Sequence, residues 1–144
     1  CLPSCEQWWR GVVLLKRIHI EGKGFNVLKD FNSWRIAAIG YDEEVNSLKG
    51  INTIGRHFET DEVFVLLEGT AHLVIAGFND KPDHIEVEKL EKGNLYIVSE
   101  KQWHVAVLDP MSTLLIIENE NTGIGNSENY NISNLFLDKI KSKF

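Results

Sequence analysis

The sequence has little cysteine, no long apolar run and no cluster of positive charge. Its two cysteines, Cys1 and Cys5, form one C-x₃-C pair without a second pair, which is weak evidence for zinc. No apolar stretch approaches the roughly 18 residues that cross a bilayer. The basic residues are scattered in a chain of net charge −6. These absences predict a cytoplasmic protein that binds neither membranes nor nucleic acid.

Several catalytic motifs are also missing. The sequence has no G-x-S-x-G elbow, no glycine loop of the type that binds phosphate, and no cysteine near a histidine. Nucleotide-dependent and thiol chemistries are therefore disfavoured.

What is present predicts one domain built from β-strands. The chain has 144 residues, of which 43% are apolar, and this is enough to form a hydrophobic core without disulfide bonds or a structural metal ion. Short apolar segments separated by turn residues are typical of a sandwich or barrel; the predicted strands are VVLLKRIHI, FNVLKDF, WRIAAIGY, NTIGRH, EVFVLLE, TAHLVIA, HIEVEKL, NLYIVS, HVAVLD and TLLIIEN. We expect residues 1–11 to be an N-terminal extension, either vector-derived or disordered, residues 12–130 to form the barrel, and residues 131–144 to form a C-terminal helix.

The same segments predict that both faces of the strands are covered. VFVLL and LLII are apolar at consecutive positions, so neither face of these strands can be fully wetted. The tail supplies one cover, because Ser133 is a candidate N-cap and Phe136, Ile140 and Phe144 recur at helical spacing. A partner subunit would supply another, which favours a homodimer.

Two stretches offer imidazole and carboxylate groups that could converge inside a barrel. In RHFETDEVF, His57 ends one predicted strand and Glu62 begins the next antiparallel strand, so a hairpin of this length can bring both side chains to one interior face. In QWHVAV, His104 starts an apolar strand, and its ring either points into the barrel or is solvated at its mouth. Such ligands suit soft or borderline divalent metals.

The spacing of these residues resembles the two motifs of the cupin superfamily. The second half of the first motif runs histidine, four residues, glutamate, six residues, glycine, and His57, Glu62 and Gly69 match it. Gly93 and His104 keep the spacing of the second motif, although SEK at 99–101 replaces its Pro-x-Gly. The resemblance covers roughly residues 34–123 and implies an all-β, cupin-like double-stranded β-helix (jelly-roll) barrel with a short C-terminal helix. Small single-domain bacterial cupins of this type are mostly of unassigned function.

One ligand of the cupin pattern is absent, because the first histidine of its His-x-His pair falls on Gly55. The resemblance implies that His57, Glu62 and His104 hold a divalent metal ion (iron, manganese, zinc or nickel) with open coordination positions. A small polar molecule in the barrel would be the ligand or substrate.

The other polar and aromatic residues of these segments are expected to be structural. Glu59 or Asp61 could add a ligand oxygen, but both lie in the FETD turn, where a solvated acidic loop is the simpler interpretation. Arg56 should point to the face opposite His57 and lie at the surface. Trp103 should pack in the core or in an interface.

Three functions remain open at this point. The first is a metal-dependent enzyme acting as isomerase, lyase, hydrolase or dioxygenase, for which the sequence names no general base. The second is a non-catalytic, metal-free module that binds or senses a small molecule, which the glycine at position 55 favours. The third is a subunit that serves mainly assembly, which only the doubly apolar strands support. One fold serves many functions, so the fold does not decide among them.

Overall fold

Ten β-strands and a C-terminal helix are found in the part of the chain that this computed structural model describes, residues 15–144. The strands are β1 (Gly24–Phe31), β2 (Trp34–Gly40), β3 (Thr53–His57), β4 (Glu62–Glu68), β5 (Ala71–Ile75), β6 (Glu86–Lys89), β7 (Tyr96–Val98), β8 (His104–Leu108), β9 (Thr113–Asn119) and β10 (Ser127–Asn131). A 3₁₀ turn at Ile124–Asn126 precedes β10, and the helix, α1, spans Asn134–Lys141.

The strands form two antiparallel sheets of five strands each. Sheet I has the order β1-β2-β9-β4-β7, and sheet II has the order β10-β3-β8-β5-β6. From β2 onward, every connection between consecutive strands crosses from one sheet to the other, except the connection from β5 to β6. The predicted all-β barrel with one short C-terminal helix is confirmed for the described residues.

Side chains that alternate along each strand fill the space between the sheets. Along β4, Glu62, Phe64 and Leu66 are buried, whereas Val63 and Val65 are only partly buried. This period of two is that of a strand with one face on a core. The buried residues of the interior are Ala37, Phe64, Leu66, Ala71, Leu73, Leu90, Val98, Ala106, Leu108, Leu114 and Ile116.

Helix α1 covers the outer face of sheet II. The Ser133 hydroxyl accepts a hydrogen bond from the backbone N–H of Phe136 at 3.1 Å, which confirms Ser133 as the N-cap. Ile140 is fully buried and packs with Val74 and Val107 of that outer face. Within residues 15–144, no helix has the length and apolar character needed to span a membrane.

Three strand predictions differ from the structure. The described part of VVLLKRIHI, residues 15–20, forms no strand. Strand β10 was missed because its sequence, SENYN, is polar and has no apolar alternation. β3 and β4 are not a hairpin, because the FETD turn carries the chain from sheet II to sheet I. The predicted N-terminal extension, residues 1–11, lies outside the described residues, and the predicted domain boundaries remain predictions.

Candidate metal centre

The three candidate ligands lie at one end of the barrel. His57 is the last residue of β3, Glu62 is the first of β4, and His104 is the first of β8. Because β3 and β8 belong to sheet II and β4 belongs to sheet I, the two imidazoles meet the carboxylate from the opposite sheet. The sequence prediction that these side chains converge agrees with the structure, but they converge from opposite sheets instead of along one hairpin.

One carboxylate oxygen joins the two histidines. Glu62 Oε2 lies 2.7 Å from His104 Nε2 and 3.2 Å from His57 Nε2. The two rings are 5.5 Å apart between centroids in an edge-to-face arrangement. One ligand atom from each residue lies within 4.8 Å of the other two. Only 7% of the Glu62 side chain is exposed, so this carboxylate is in a largely dry environment.

The second nitrogen of each ring is held by a partner outside the centre. His104 Nδ1 lies 2.9 Å from the backbone carbonyl of Gln102, and because a carbonyl only accepts, His104 Nδ1 carries the proton. His57 Nδ1 lies 2.7 Å from the hydroxyl of Ser127 on β10. Such partners fix the orientation of a ring and leave Nε2 available toward the interior, as in protein metal sites.

The charges of the centre stabilise one another. Burial opposes ionisation of Glu62, but hydrogen bonds from His104 and His57 outweigh it and lower the pKa of Glu62 to about 2. Burial, the largest single influence, opposes charge on His104, yet the hydrogen bond and negative charge of Glu62 and the hydrogen bond with the Gln102 carbonyl together outweigh it and raise the pKa of His104. Glu62 is therefore an anion at neutral pH, as a metal ligand must be.

Gly55 occupies a crowded position beside the centre. It pairs with His104 of β8 on one side and with Asn129 of β10 on the other. A Cβ atom at Gly55 would lie 2.8 Å from Oδ1 of Asn129, so the Asn129 side chain occupies space that a histidine here would need. Gly55 therefore supplies no ligand atom to the candidate centre, and the Asn129 amide of β10 lies beside the position of its missing side chain.

The two acidic turn residues are committed to hydrogen bonds elsewhere. Asp61 Oδ1 accepts a hydrogen bond from the backbone N–H of Glu100 at 2.9 Å, and Glu59 Oε2 accepts one from the Asn126 amide at 2.8 Å. The backbone N–H of Lys101 donates to the His57 carbonyl at 2.6 Å. These contacts tie the FETD turn to the SEK loop before β8, and they hold the two motif segments side by side.

A second buried carboxylate, missed from the sequence, lies next to the centre. Glu118 of β9 is 6% exposed and pairs in register with Arg35 of β2. The Arg35 guanidinium lies 3.8 Å from Glu118 Oε1 but makes a two-pronged contact with Asp30. Burial, and then the negative charge of Glu62, raise the pKa of Glu118 to about 7. The sequence could have indicated this buried carboxylate, because Glu118 lies two residues after the buried Ile116 and therefore on the inward face of the strand TLLIIEN.

Arg56 is buried, so the expectation of a surface residue was wrong. It is 8% exposed, its Nη2 lies 2.9 Å from Glu128, and its Nη1 donates to the Asn79 carbonyl at 2.9 Å. The guanidinium also lies 4.4 Å from the ring centre of Trp103, which is fully buried in the core as expected. Arg56 therefore fastens the loop after β5 to β3 on the outer side of sheet II, and it does not face the centre.

The larger cavities differ in their relation to the centre. A groove of about 710 Å³ beside α1 contains none of the three candidate ligands. A depression of about 470 Å³ is lined by Glu118 together with the turn residues Thr60 and Asp61, and by Glu100. It is therefore an acidic depression at the same end of the barrel as the centre.

Comparisons with known proteins agree on the fold. No protein-family model and no curated protein matches the sequence. The structural neighbours include small bacterial proteins of the cupin superfamily, such as a cupin-2 domain containing protein from Shewanella frigidimarina, which is 20% identical, with coverage of 71% of this chain and 85% of that chain and a TM-score of 0.49.

Two further neighbours have TM-scores above 0.5. The WlaRB TDP-quinovose 3,4-ketoisomerase from Campylobacter jejuni is 11% identical, with coverage of 65% of this chain and 67% of that chain and a TM-score of 0.51. A variant of Streptomyces PAC13 with uridine is 6% identical, with coverage of 78% and 82% and a TM-score of 0.55. At such identities the likeness shows the fold alone, a cupin-type sandwich of two antiparallel sheets.

Proposed function

We propose that this cupin-fold chain binds a divalent metal ion through His57, Glu62 and His104 and presents it to a small polar molecule at the end of the barrel. The observation that carries the proposal is the convergence of two imidazole Nε2 atoms on one carboxylate oxygen from opposite sheets. Each ring is also anchored at Nδ1, so the three groups need little rearrangement to accept an ion.

The chemistry of the donor set suits a transition metal. Two imidazoles and one carboxylate favour iron, manganese, zinc or nickel over calcium or magnesium, which prefer oxygen ligands. Three protein ligands leave positions for water or a ligand, which is the pattern of catalytic instead of structural sites. The depressed pKa of Glu62 supports the same assignment, because the ligand is already ionised at neutral pH.

The residues divide the work of such a site. When bound, the metal would polarise a substrate oxygen or activate water, the chemistry shared by isomerases, lyases, hydrolases and dioxygenases. Gln102 and Ser127 keep the two rings aimed inward. Glu118 is the inward carboxylate that is not a candidate ligand, so it is the group available to accept a hydrogen bond from the polar molecule. One structural neighbour is named as a ketoisomerase, which is compatible with an isomerase but does not select it.

A metal-free binding module is the second candidate. The observation in its favour is that the hydrogen bonds close without an ion, since Glu62 Oε2 is within 3.2 Å of both Nε2 atoms. Gly55 also favours the metal-free candidate, because it stands where the cupin pattern has a fourth metal ligand. In this case the histidines and Glu118 would hydrogen-bond a small polar ligand directly.

Metal analysis of the purified chain without a histidine tag separates the two candidates. We expect close to one transition-metal ion per chain, and loss of most of it in His57→Ala and in His104→Ala, because two remaining ligands hold an ion poorly. His19→Ala is the matched control, since the His19 side chain is 83% exposed and distant in sequence from the centre.

A folded protein that contains no metal, and that takes up none of Zn²⁺, Mn²⁺, Fe²⁺ or Ni²⁺ on reconstitution, would contradict the proposed metal site. Circular dichroism of each variant shows whether a loss of metal reflects a loss of ligand or a loss of fold.

The partners proposed with this function are a small molecule in the barrel and a second copy of the chain, in the cytoplasm.

A further inference from the structure

Glu118 is a buried carboxylate that accepts no hydrogen bond from the described residues. Its side chain is 4% exposed, and the Arg35 guanidinium nitrogen nearest to it lies 3.8 Å away, beyond hydrogen-bond distance. Buried polar groups are nearly always hydrogen-bonded, because a buried group without a partner costs free energy. Glu118 therefore has acceptor positions that a bound molecule could fill.

Glu118 lies beside a candidate ligand on the neighbouring strand. Val63 of β4 lies opposite Ile117 of β9 in an antiparallel register. The next residues toward the end of the sandwich are Glu62 and Glu118, and both are buried on the inner face. Opposite residues of antiparallel strands have Cβ atoms about 5 Å apart. Glu118 therefore borders the space in which a metal ion and its ligand would lie.

The basic side chain beside Glu118 is already engaged. Arg35 donates through Nε and Nη2 to the two carboxylate oxygens of Asp30, at 2.8 and 3.3 Å. Its Nη1 donates to the Thr122 carbonyl at 3.2 Å, so every nitrogen of the guanidinium has an acceptor. Among the described residues, Arg35 is the only arginine or lysine that lies within 4.0 Å of Glu118. A carboxylate or phosphate group would therefore find no free cation within that distance.

The surface at this end of the barrel is acidic as well. The depression of about 470 Å³ is lined by no basic residue, and its acidic residues are Glu59, Asp61, Glu100 and Glu118. The His57 side chain is 23% exposed, so solvent reaches the centre at this end. A concave surface with charge of one sign repels ligands of the same sign.

The charge balance of the centre depends on Glu118. The three candidate ligands and a divalent ion together carry one positive charge, because bound imidazoles are neutral and Glu62 carries one negative charge. That positive charge alone would favour an anion. The Glu118 carboxylate cancels it, so an anionic ligand would leave one uncompensated negative charge in a buried site, which is costly. A neutral ligand leaves the charges balanced.

We infer that the molecule held at the centre is a neutral, hydroxyl-bearing compound, which places one oxygen on the metal ion and donates a hydrogen bond from a hydroxyl to Glu118. Hydroxy ketones, hydroxy amides and polyols belong to this class, and carboxylates and phosphate esters are disfavoured. The inference rests on the proposed function. It adds the charge of the ligand and the residue that selects it.

Spectral titration of the Co²⁺-loaded full chain at pH 8 tests the inference with two probes of nearly the same shape, neutral glycolamide and anionic glycolate. We expect the wild type to bind glycolamide at least as tightly as glycolate. Glu118→Gln keeps the size of the side chain but removes its charge, so the preference should shift toward glycolate by roughly tenfold or more. Glu118→Asp keeps the charge and should keep the wild-type preference. Glu91→Gln is the control, because it removes one charge at an exposed position outside the depression.

The contrary results separate the inference from the metal site. If the chain binds no Co²⁺, the proposed function fails and the inference fails with it. If Co²⁺ binds, three results overturn the inference alone: a wild type that prefers glycolate, a wild type that binds neither probe, and a preference that Glu118→Gln leaves unchanged. Cobalt content and circular dichroism of each variant show whether a changed preference reflects lost metal or a lost fold.

Discussion

Glu62 and Glu118 are buried carboxylates at one end of sheet I whose pKa values are displaced in opposite directions. Glu62 receives hydrogen bonds from two imidazoles, so its pKa falls to about 2 in spite of burial. Glu118 lies 3.8 Å from an Arg35 guanidinium that is shared with Asp30, and burial followed by the negative charge of Glu62 raises its pKa to about 7. The pKa values differ because Glu62 accepts hydrogen bonds from two imidazoles, whereas Glu118 faces the negative charge of Glu62.

The raised pKa of Glu118 makes the stability of the fold depend on pH. Below pH 4.5 both the folded and unfolded states carry the proton, and Glu118 has no effect. As the pH rises from 4.5 to about 7, the unfolded state loses the proton first, so stability falls. The full loss above pH 7 is up to about 3 kcal/mol.

We therefore expect Glu118→Gln to stabilise the metal-free protein at pH 8 by about 1–3 kcal/mol and to give no gain at pH 4. Urea unfolding at the two pH values measures the difference, and Glu91→Gln, at an exposed position, is the control. An equal effect at both pH values would contradict the assignment.

Lys101 stands where the second cupin motif has glycine, and its backbone retains the conformation that glycine favours. Its φ is 67°, in the left-handed region, where a side chain adds strain. We expect Lys101→Gly to raise the free energy of unfolding by about 0.5–1 kcal/mol. Lys101→Ala removes the charge but keeps the strained Cβ, so it should give no such gain in thermal unfolding. A gain of equal size from alanine would mean that charge, not strain, is responsible.

The convergence of His57, Glu62 and His104 could be predicted from motif spacing because each residue starts or ends a strand; that they bind a metal ion stays a prediction. Arg56 could not be predicted correctly, since its burial depends on Trp103 and Asn79, which lie far along the chain. The sequence shows Glu118 as an acidic residue at an inward position of its strand. Its environment could not be predicted, because it depends on Arg35, which lies beside it on the neighbouring strand β2.

At the scale of elements, short apolar segments predicted nine of the ten described strands. The tenth, β10, was missed because its sequence, SENYN, is polar. Strand β10 pairs with β3 through its backbone, a contact that places few demands on side chains. Its role is nevertheless specific, because it brings Ser127 to His57 and Asn129 against Gly55. A polar edge strand therefore contributes a hydrogen-bond partner to the candidate centre and lies against the position where the cupin pattern has its first histidine.

The connection between β3 and β4 shows what strand prediction alone could not supply. Two strands separated by four residues predict a hairpin, yet FETD crosses between sheets. Asp61 holds that crossing through its bond to Glu100, and the His57 carbonyl holds it through Lys101. These contacts join residues that are about 40 positions apart along the chain, so a linear pattern does not contain them.

At the scale of the whole molecule, the candidate centre joins the two sheets at one end of the sandwich. His57 and His104 come from sheet II and Glu62 comes from sheet I. A bound ion would therefore bridge the two sheets and should stabilise the folded state. The stabilisation grows with the metal concentration, because only the folded state brings the three ligands together.

The whole-molecule expectation is a metal-dependent melting temperature. At a free Zn²⁺ or Mn²⁺ concentration of 100 times Kd, the stabilisation is about 2.7 kcal/mol. For a chain of this size that corresponds to a rise of about 5–10 °C. Scanning fluorimetry of chelator-treated protein, before and after metal addition, measures it. Glu62→Gln should abolish the rise because the ligand anion is lost, while Glu118→Gln should keep it because Glu118 is not a candidate ligand. If Glu62→Gln kept the full rise, the ion would bind elsewhere, and the bond between the sheets would be the hydrogen-bonded His57–Glu62–His104 network alone.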